Sequence, residues 1–227
     1  MTRLPLIAVF IVAMQIGVAA ASEAAKPATA EFVTCEADEA RRKLRSEELQ
    51  RIVAEDQADR KPASGGIDWN VVTARDEARR KRVGEIFGEG CFSEARDYLA
   101  AALVFQHGNV PEHFFQTYLW ARKARDLGGG KQARGLAAMG IDRYLINTGQ
   151  RQIFGTQFSM TTERCLCLEE VEETFPENLR VEEGNMPLEM ALSFQSSRNK
   201  DKPACEAVRY CPRKLKPTPK GTVPGLW

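Results

Sequence analysis

No basic block in this chain is long enough to track a nucleic-acid backbone. The net charge is +1, and loss of Arg3 with a leader peptide would bring it near neutral, so a broad pull toward polyanions is absent as well. The basic stretch 75–82 is broken by Asp76 and Glu77 and reads as a solvated helix face. The chain has no Gly-x-Ser-x-Gly elbow, no Gly-x4-Gly-Lys-Ser/Thr phosphate loop and no His-Glu-x-x-His pair. The serine-elbow hydrolase, phosphate-loop nucleotide and zinc-protease readings that those motifs carry therefore drop out. The gaps in Cys165-x-Cys167 and Cys205-x5-Cys211 are wrong for zinc, and no histidine lies near them. Glu112 and His113 are separated from His107 by a proline turn, which is poor geometry for a shared ion. No metal and no cofactor is expected.

What is present points to export. Arg3 precedes an uncharged run over 4–21 that ends in Ala19-Ala20-Ala21 before Ser22, the pattern of a cleaved secretory signal. Pro5, Gln15 and Gly17 interrupt the run, so it is a poor membrane span, and cleavage is expected after Ala21 with no stable span afterwards. Six cysteines follow that point: Cys35, Cys91, Cys165, Cys167, Cys205 and Cys211. An even count in an exported chain reads as disulfides, in the periplasm or outside the cell.

The segments divide as signal peptide 1–21, flexible leader 22–34, helical domain 35–195 and a disulfide-tethered, largely irregular tail 196–227. About 180 residues remain for one domain with a real core. Residues 36–60 contain no Gly or Pro and are rich in Ala, Glu, Arg and Leu, which predicts a first helix. Further helices are expected over 71–87, 94–107, 111–127 and 131–148. Ser93 is read as the cap of the third, Pro111 as the first residue of the fourth, and glycines as stops between them. Beyond Gly149 the stretches 152–158 and 164–168 look extended and 187–194 looks like a short helix. Residues 214–227 offer little to bury and are expected to be disordered or draped on the surface. The fold class is mainly α: a five-helix up-down array with a small irregular or short-strand C-terminal extension. Small residues over 115–144 locally resemble Sel1 and tetratricopeptide helix pairs, but a single legible unit reads as one helix hairpin.

Short connections make neighbouring helices antiparallel, so the first, third and fifth end at the same side of the array. The unusual polar residues gather there. Asp56, Gln57 and Arg60 close the first helix, and Asp76 lies early in the second. Gln106 and His107 close the third. Asp142 and Arg143 sit late in the fifth, with Gln152, Gly155, Thr156 and Gln157 following. Cys35 and Cys91 fall at the opposite end, where they can pair; Cys165 and Cys167 would then bridge to Cys205 and Cys211 in either order.

The runs Glu55-Asp56-Gln57-x-x-Arg60, Phe105-Gln106-His107, Asp142-Arg143 and Gln152-x-Phe154-Gly155-Thr156-Gln157 resemble a bacterial domain of unknown function. That family is recognised by a Gln-His pair, an Asp-Arg pair and a terminal Gln-x-Tyr-Gly-Thr-Gln. Arg180-x3-Gly184-x2-Pro187-Leu188 is similar to its usual ending, so the resemblance covers about residues 45–195. Phe154 departs from the usual tyrosine. The resemblance implies a fold and a site location but no reaction.

Two functions follow as expectations. One is a helical binding module that takes a small polar ligand or peptide at the polar end, through Asp56, Gln57, Arg60, Asp76, Gln106, Gln152, Gly155, Thr156 and Gln157. The other is a hydrolase-like enzyme with His107 as base, Asp142 as its orienting partner and Arg143 or Gln157 steadying negative charge. Contact between His107 and Asp142 in an open cleft would favour the enzyme; a filled and fully paired network would favour a structural role.

Overall fold

The computed structural model describes residues 34–61 and 66–227. The expected signal peptide, its expected cleavage point and the leader up to residue 33 lie outside the described residues. Five helices come first: α1 (Glu39–Asp59), α2 (Trp69–Gly88), α3 (Ala95–Gln106), α4 (Pro111–Asp126) and α5 (Gly130–Asn147). They are followed by β1 (Phe158–Met160), β2 (Leu166–Leu168), α6 (Glu177–Gly184), α7 (Leu188–Asn199) and a 3-10 turn at Pro203–Cys205. The fold is mainly α with a short-strand C-terminal extension. Among the described residues no helix is long and apolar enough to cross a membrane.

Local chemistry sets the helix starts. The Asp38 carboxylate accepts from Arg41 N at 2.9 Å, and Asp68 caps α2 by accepting from Asn70 N and Val71 N, so α2 begins two residues before the expected start. The start of α3 is a correction: Glu94, not Ser93, is the N-cap. Asp97 supplies the reason, because its Oδ2 accepts from both Ser93 N and Glu94 N at 3.0 Å. Pro111 opens α4 as expected.

The contacts at the helix ends reproduce the alternation. The Cys35–Cys91 disulfide and the Cys35 N to Glu89 O bond (2.8 Å) join the start of α1 to the end of α2. At the other end, Asp56 of α1 meets His107 after α3, and Arg143 of α5 meets Gln106. The core between the helices is built from Leu49, Val83, Ile86, Ala101, Val104, Ala121, Leu136, Ile141 and Leu145. Helices α4 and α5 approach closely at Gly140, where a Cβ would come within 2.9 Å of Thr117 Cγ2 and Tyr118 N. Small residues here let α4 and α5 pack backbone to backbone.

The C-terminal third departs from expectation in four places. Within 152–158, only Phe158 enters a strand, because the preceding backbone bends around a buried carboxylate described below. Antiparallel pairing then sets Phe158 opposite Leu168 and Met160 opposite Leu166. The helix expected over 187–194 continues to Asn199, past the boundary drawn at 195. Helix α6 was not anticipated; eight residues are too few for a clear apolar period. The stretch 214–227 is also not merely draped. Leu215, Thr218 and Val223 are buried, the Trp227 ring lies 5.3 Å from Phe175, and its indole N–H donates to Thr218 O at 2.8 Å. The apolar residues there are sparse and aperiodic, so each fills its own slot and leaves no pattern to read.

Cys165 pairs with Cys205 and Cys167 with Cys211, and with Cys35–Cys91 this leaves no free thiol among the described residues. Three disulfides suggest an oxidising, extracytoplasmic environment.

Candidate functional site

The first polar cluster lies where the C-terminal end of α1 meets α2 and α3. The Asp56 side chain is fully buried, and its carboxylate accepts from His107 Nδ1 at 3.0 Å, Arg60 Nη1 at 3.0 Å and Gln57 Nε2 at 2.8 Å. Arg60 also spans to Asp76, which receives Arg79 Nη1 at 3.1 Å; Arg79 and Arg75 both reach Asp59. Each carboxylate here faces a guanidinium, so the expected residues Asp56, Gln57, Arg60 and Asp76 form a closed ion-pair network. Because an ionised carboxylate accepts only, His107 donates through Nδ1–H, and in the neutral ring this tautomer leaves the lone pair on Nε2.

This cluster has a pH signature. Burial pushes the Asp56 carboxyl up, but the hydrogen bond and charge of His107, with Gln57 and Arg60, outweigh it and hold the group below the ordinary aspartate value. Asp59 is held down by its bonds to Arg79 and Arg75. A folded pKa below the unfolded one gives stability that is present above the unfolded value and lost as pH falls through the folded one. The melting temperature is therefore expected to fall on acidification below about pH 4. Thermal melts of Asp56→Asn across the same range should show a shallower fall, and a slope equal to the parent's would exclude this source.

The second cluster corrects an expectation. Asp142 does not orient His107. It is completely buried, and its Oδ1 accepts from Ile153 N (2.9 Å) and Phe154 N (3.0 Å), while Oδ2 accepts from Thr156 N (2.9 Å) and Thr156 Oγ1 (2.8 Å). Burial raises its pKa against the pull of those four donors. Gly155 makes the turn possible with φ +84°, a region that disfavours side chains. The Thr156 backbone N–H is thus committed to Asp142 and unavailable to a bound anion. Gln152 is likewise used up: Nε2 donates to Gln157 O and Glu169 O at 3.0 and 2.9 Å, and Oε1 accepts from Gln157 N at 2.8 Å. Phe154 is buried against Phe175, with Gly184 leaving room for its ring, so this position carries an apolar contact and needs no hydroxyl.

The two clusters touch at the end of α3. Arg143 donates from Nη1 to Gln106 O at 2.6 Å and from Nε to Gln157 Oε1 at 3.1 Å, with its guanidinium 5.4 Å over the Phe114 ring. Arg80 donates to His107 O at 3.1 Å. Neither arginine has a carboxylate within ion-pair distance among the described residues, and burial lowers both pKa values. Arg143 thereby brings together Gln106 and Gln157. Gln106 itself is 4% exposed, and neither its amide oxygen nor its nitrogen has a hydrogen-bond partner. Beside Arg143 lies an open groove of about 360 Å³ lined by Phe114, Gln157, Phe158, Glu169 and Arg213.

His113 has a local role. Its Nδ1 accepts from Asn109 N at 3.3 Å, its ring meets Phe105 edge-on, and Gly108 is required beside it because a Cβ would come within 2.3 Å. Among the described residues the one close set of metal-type donors is Cys35, Glu89 and Cys91, whose sulfurs are already bonded to each other.

Sequence reasoning missed Arg80, Glu169 and Arg213. Arg80 was detectable, since it falls on the buried face of α2 shared by Val72, Asp76, Val83 and Ile86. Glu169 and Arg213 sit outside helices, where no periodicity marks an inward residue.

Comparison of the chain with family models, with curated proteins and with solved structures returned no match in any of the three. The geometry of these clusters is therefore the basis on which a function is argued.

Proposed function

We propose that this chain is an exported, disulfide-stapled helical module that binds a small polar ligand on the rim formed by Gln106, His107, Arg143 and Gln157. The observation that carries this reading is the Gln106 amide, buried with both atoms unbonded. Such a group costs about 1–3 kcal/mol, which a donor-acceptor ligand that displaces the side chains covering it would recover. The resemblance to the uncharacterised bacterial family agrees, because Gln106-His107 and Asp142-Arg143 are its paired signatures. Placement in the periplasm or medium rests on the disulfides together with the expected signal sequence.

Gln106→Met tests the reading, since methionine keeps the shape and removes the orphaned polar atoms. The variant is expected to be more stable than the parent by about 1–2 kcal/mol, a rise of several degrees in Tm. It should also lose the thermal shifts that polar ligands give the parent in a screen on the signal-free protein. A fall in Tm would mean that the amide serves the fold, and would end the proposal.

One observation favours a second reading. His107, oriented through Nδ1 by buried Asp56, keeps Nε2 free as a general base, so Asp56 takes the part first assigned to Asp142. Arg143 would then steady negative charge on a hydrolysed substrate. Hydrolysis of ester or amide probes that disappears in His107→Ala would favour this enzyme over the binding module.

A further inference from the structure

The groove beside Arg143 holds two guanidiniums and one carboxylate that form no ion pair with one another. Arg143 uses two of its nitrogens on neutral oxygens, Gln106 O and Gln157 Oε1. Arg213, on the same groove, donates to another neutral oxygen, Ile146 O at 3.0 Å. Glu169 is 6% exposed; its Oε1 accepts from Ser159 Oγ at 2.6 Å, while Oε2 has no partner. Gln157 fixes both sides of this arrangement. Its side-chain oxygen receives Arg143 Nε, and its backbone oxygen receives Glu169 N at 3.2 Å. The guanidinium, on α5, and the carboxylate, just after β2, are thus both tied to Gln157 as separate binding elements.

We propose that this groove binds a small zwitterion of the free amino-acid kind, with its carboxylate on Arg143 and Arg213 and its ammonium on Glu169. This deepens the polar-ligand reading above and rests on it. Guanidinium forks match a carboxylate, and a compact ammonium answers a lone carboxylate oxygen. A simple anion such as phosphate leaves Glu169 unanswered and adds repulsion beside it. A divalent cation would find one carboxylate between two guanidiniums. The volume of about 360 Å³ suits a ligand of amino-acid size, and Phe114 and Phe158 give its side chain an apolar wall.

Calorimetric titration of the disulfide-intact, signal-free protein with L-leucine, L-phenylalanine, L-phenylalaninamide and N-acetyl-L-phenylalanine tests this. The free amino acids should bind at least tenfold more tightly than the amide, which lacks the carboxylate, and than the acetylated form, which lacks the ammonium. Glu169→Gln keeps an acceptor for Ser159, so the fold should hold. It should weaken the free amino acids tenfold or more and leave N-acetyl-L-phenylalanine unchanged. Equal binding of free and acetylated phenylalanine, or an unchanged Kd in Glu169→Gln, overturns the zwitterion and leaves the polar-ligand reading standing. No binding by any of the four at millimolar concentration also overturns it, and the Gln106→Met melt then decides the earlier reading by itself.

Discussion

Asp142→Asn is expected to lower the unfolding free energy by about 3–5 kcal/mol, a loss on the order of 10 °C in Tm for a chain of this size. The substitution changes no volume. What it changes is the match between four donors and a group that only accepts. Oδ1 and Oδ2 each receive two hydrogen bonds from the 153–156 turn and Thr156 Oγ1. Asparagine must turn an NH2 toward one of those pairs, leaving two buried donors facing a third. Thr156→Val removes the hydroxyl's bond to Asp142 and the one it accepts from Gln157 Nε2, keeps the three backbone bonds, and should cost about 1–2 kcal/mol, so the ratio of the two losses isolates the backbone share. A loss below about 1 kcal/mol for Asp142→Asn would show that the turn has another anchor. Since Gln157 follows this turn directly, the asparagine variant should also loosen the contact between Gln157 and Arg143 and blunt ligand binding.

The double replacement Cys35→Ser with Cys91→Ser should cost about 4 kcal/mol, with the other four cysteines retained. Cys35 and Cys91 are separated by 56 residues, and closing a loop of that length in the unfolded chain removes about this much free energy on the chain-entropy account. Guanidinium denaturation is the measurement. The midpoint should fall, and the slope should rise because the released denatured chain exposes more surface. A fall in the midpoint at unchanged slope would place the effect in the folded state instead. The bridge lies at the end of the bundle away from Gln106, so binding at the rim should survive at temperatures where the variant is folded. Reduction of all three disulfides would not give the same separation, because the other two fasten the C-terminal third.

The helical half of this structure was legible because its signals are repetitive. Apolar spacing, Pro111 and the glycine stops each depend on a few residues in a row, and the alternation of helices then followed from short connections. The same alternation located the polar end, and Arg143 does join Gln106 to Gln157 there. Partnership was another matter. Asp142 and Asp56 are both aspartates late in helices that end on the same side, and nothing local distinguishes the one whose carboxylate turns to a loop from the one that turns to His107. That difference is set by side-chain direction and by where the 153–156 backbone runs. Glu169 is hidden for a related reason: it is held by Ser159, Gln157 and Gln152 across a hairpin of three-residue strands, too short to carry a period that would reveal it.

The two disulfides of the C-terminal third start from Cys165, the residue just before β2, and Cys167 within it. In extended chain such positions point to the same side, so each thiol lies close to the other's intended partner during oxidation. Exchanging Cys205 for Cys211 between them is the nearest mistake the chain can make, and undoing it requires thiol–disulfide exchange on a scale of seconds to hours. Yield of the correctly threaded molecule should thus depend on an isomerase in the compartment where it matures, and material oxidised without one should separate into two species of equal mass.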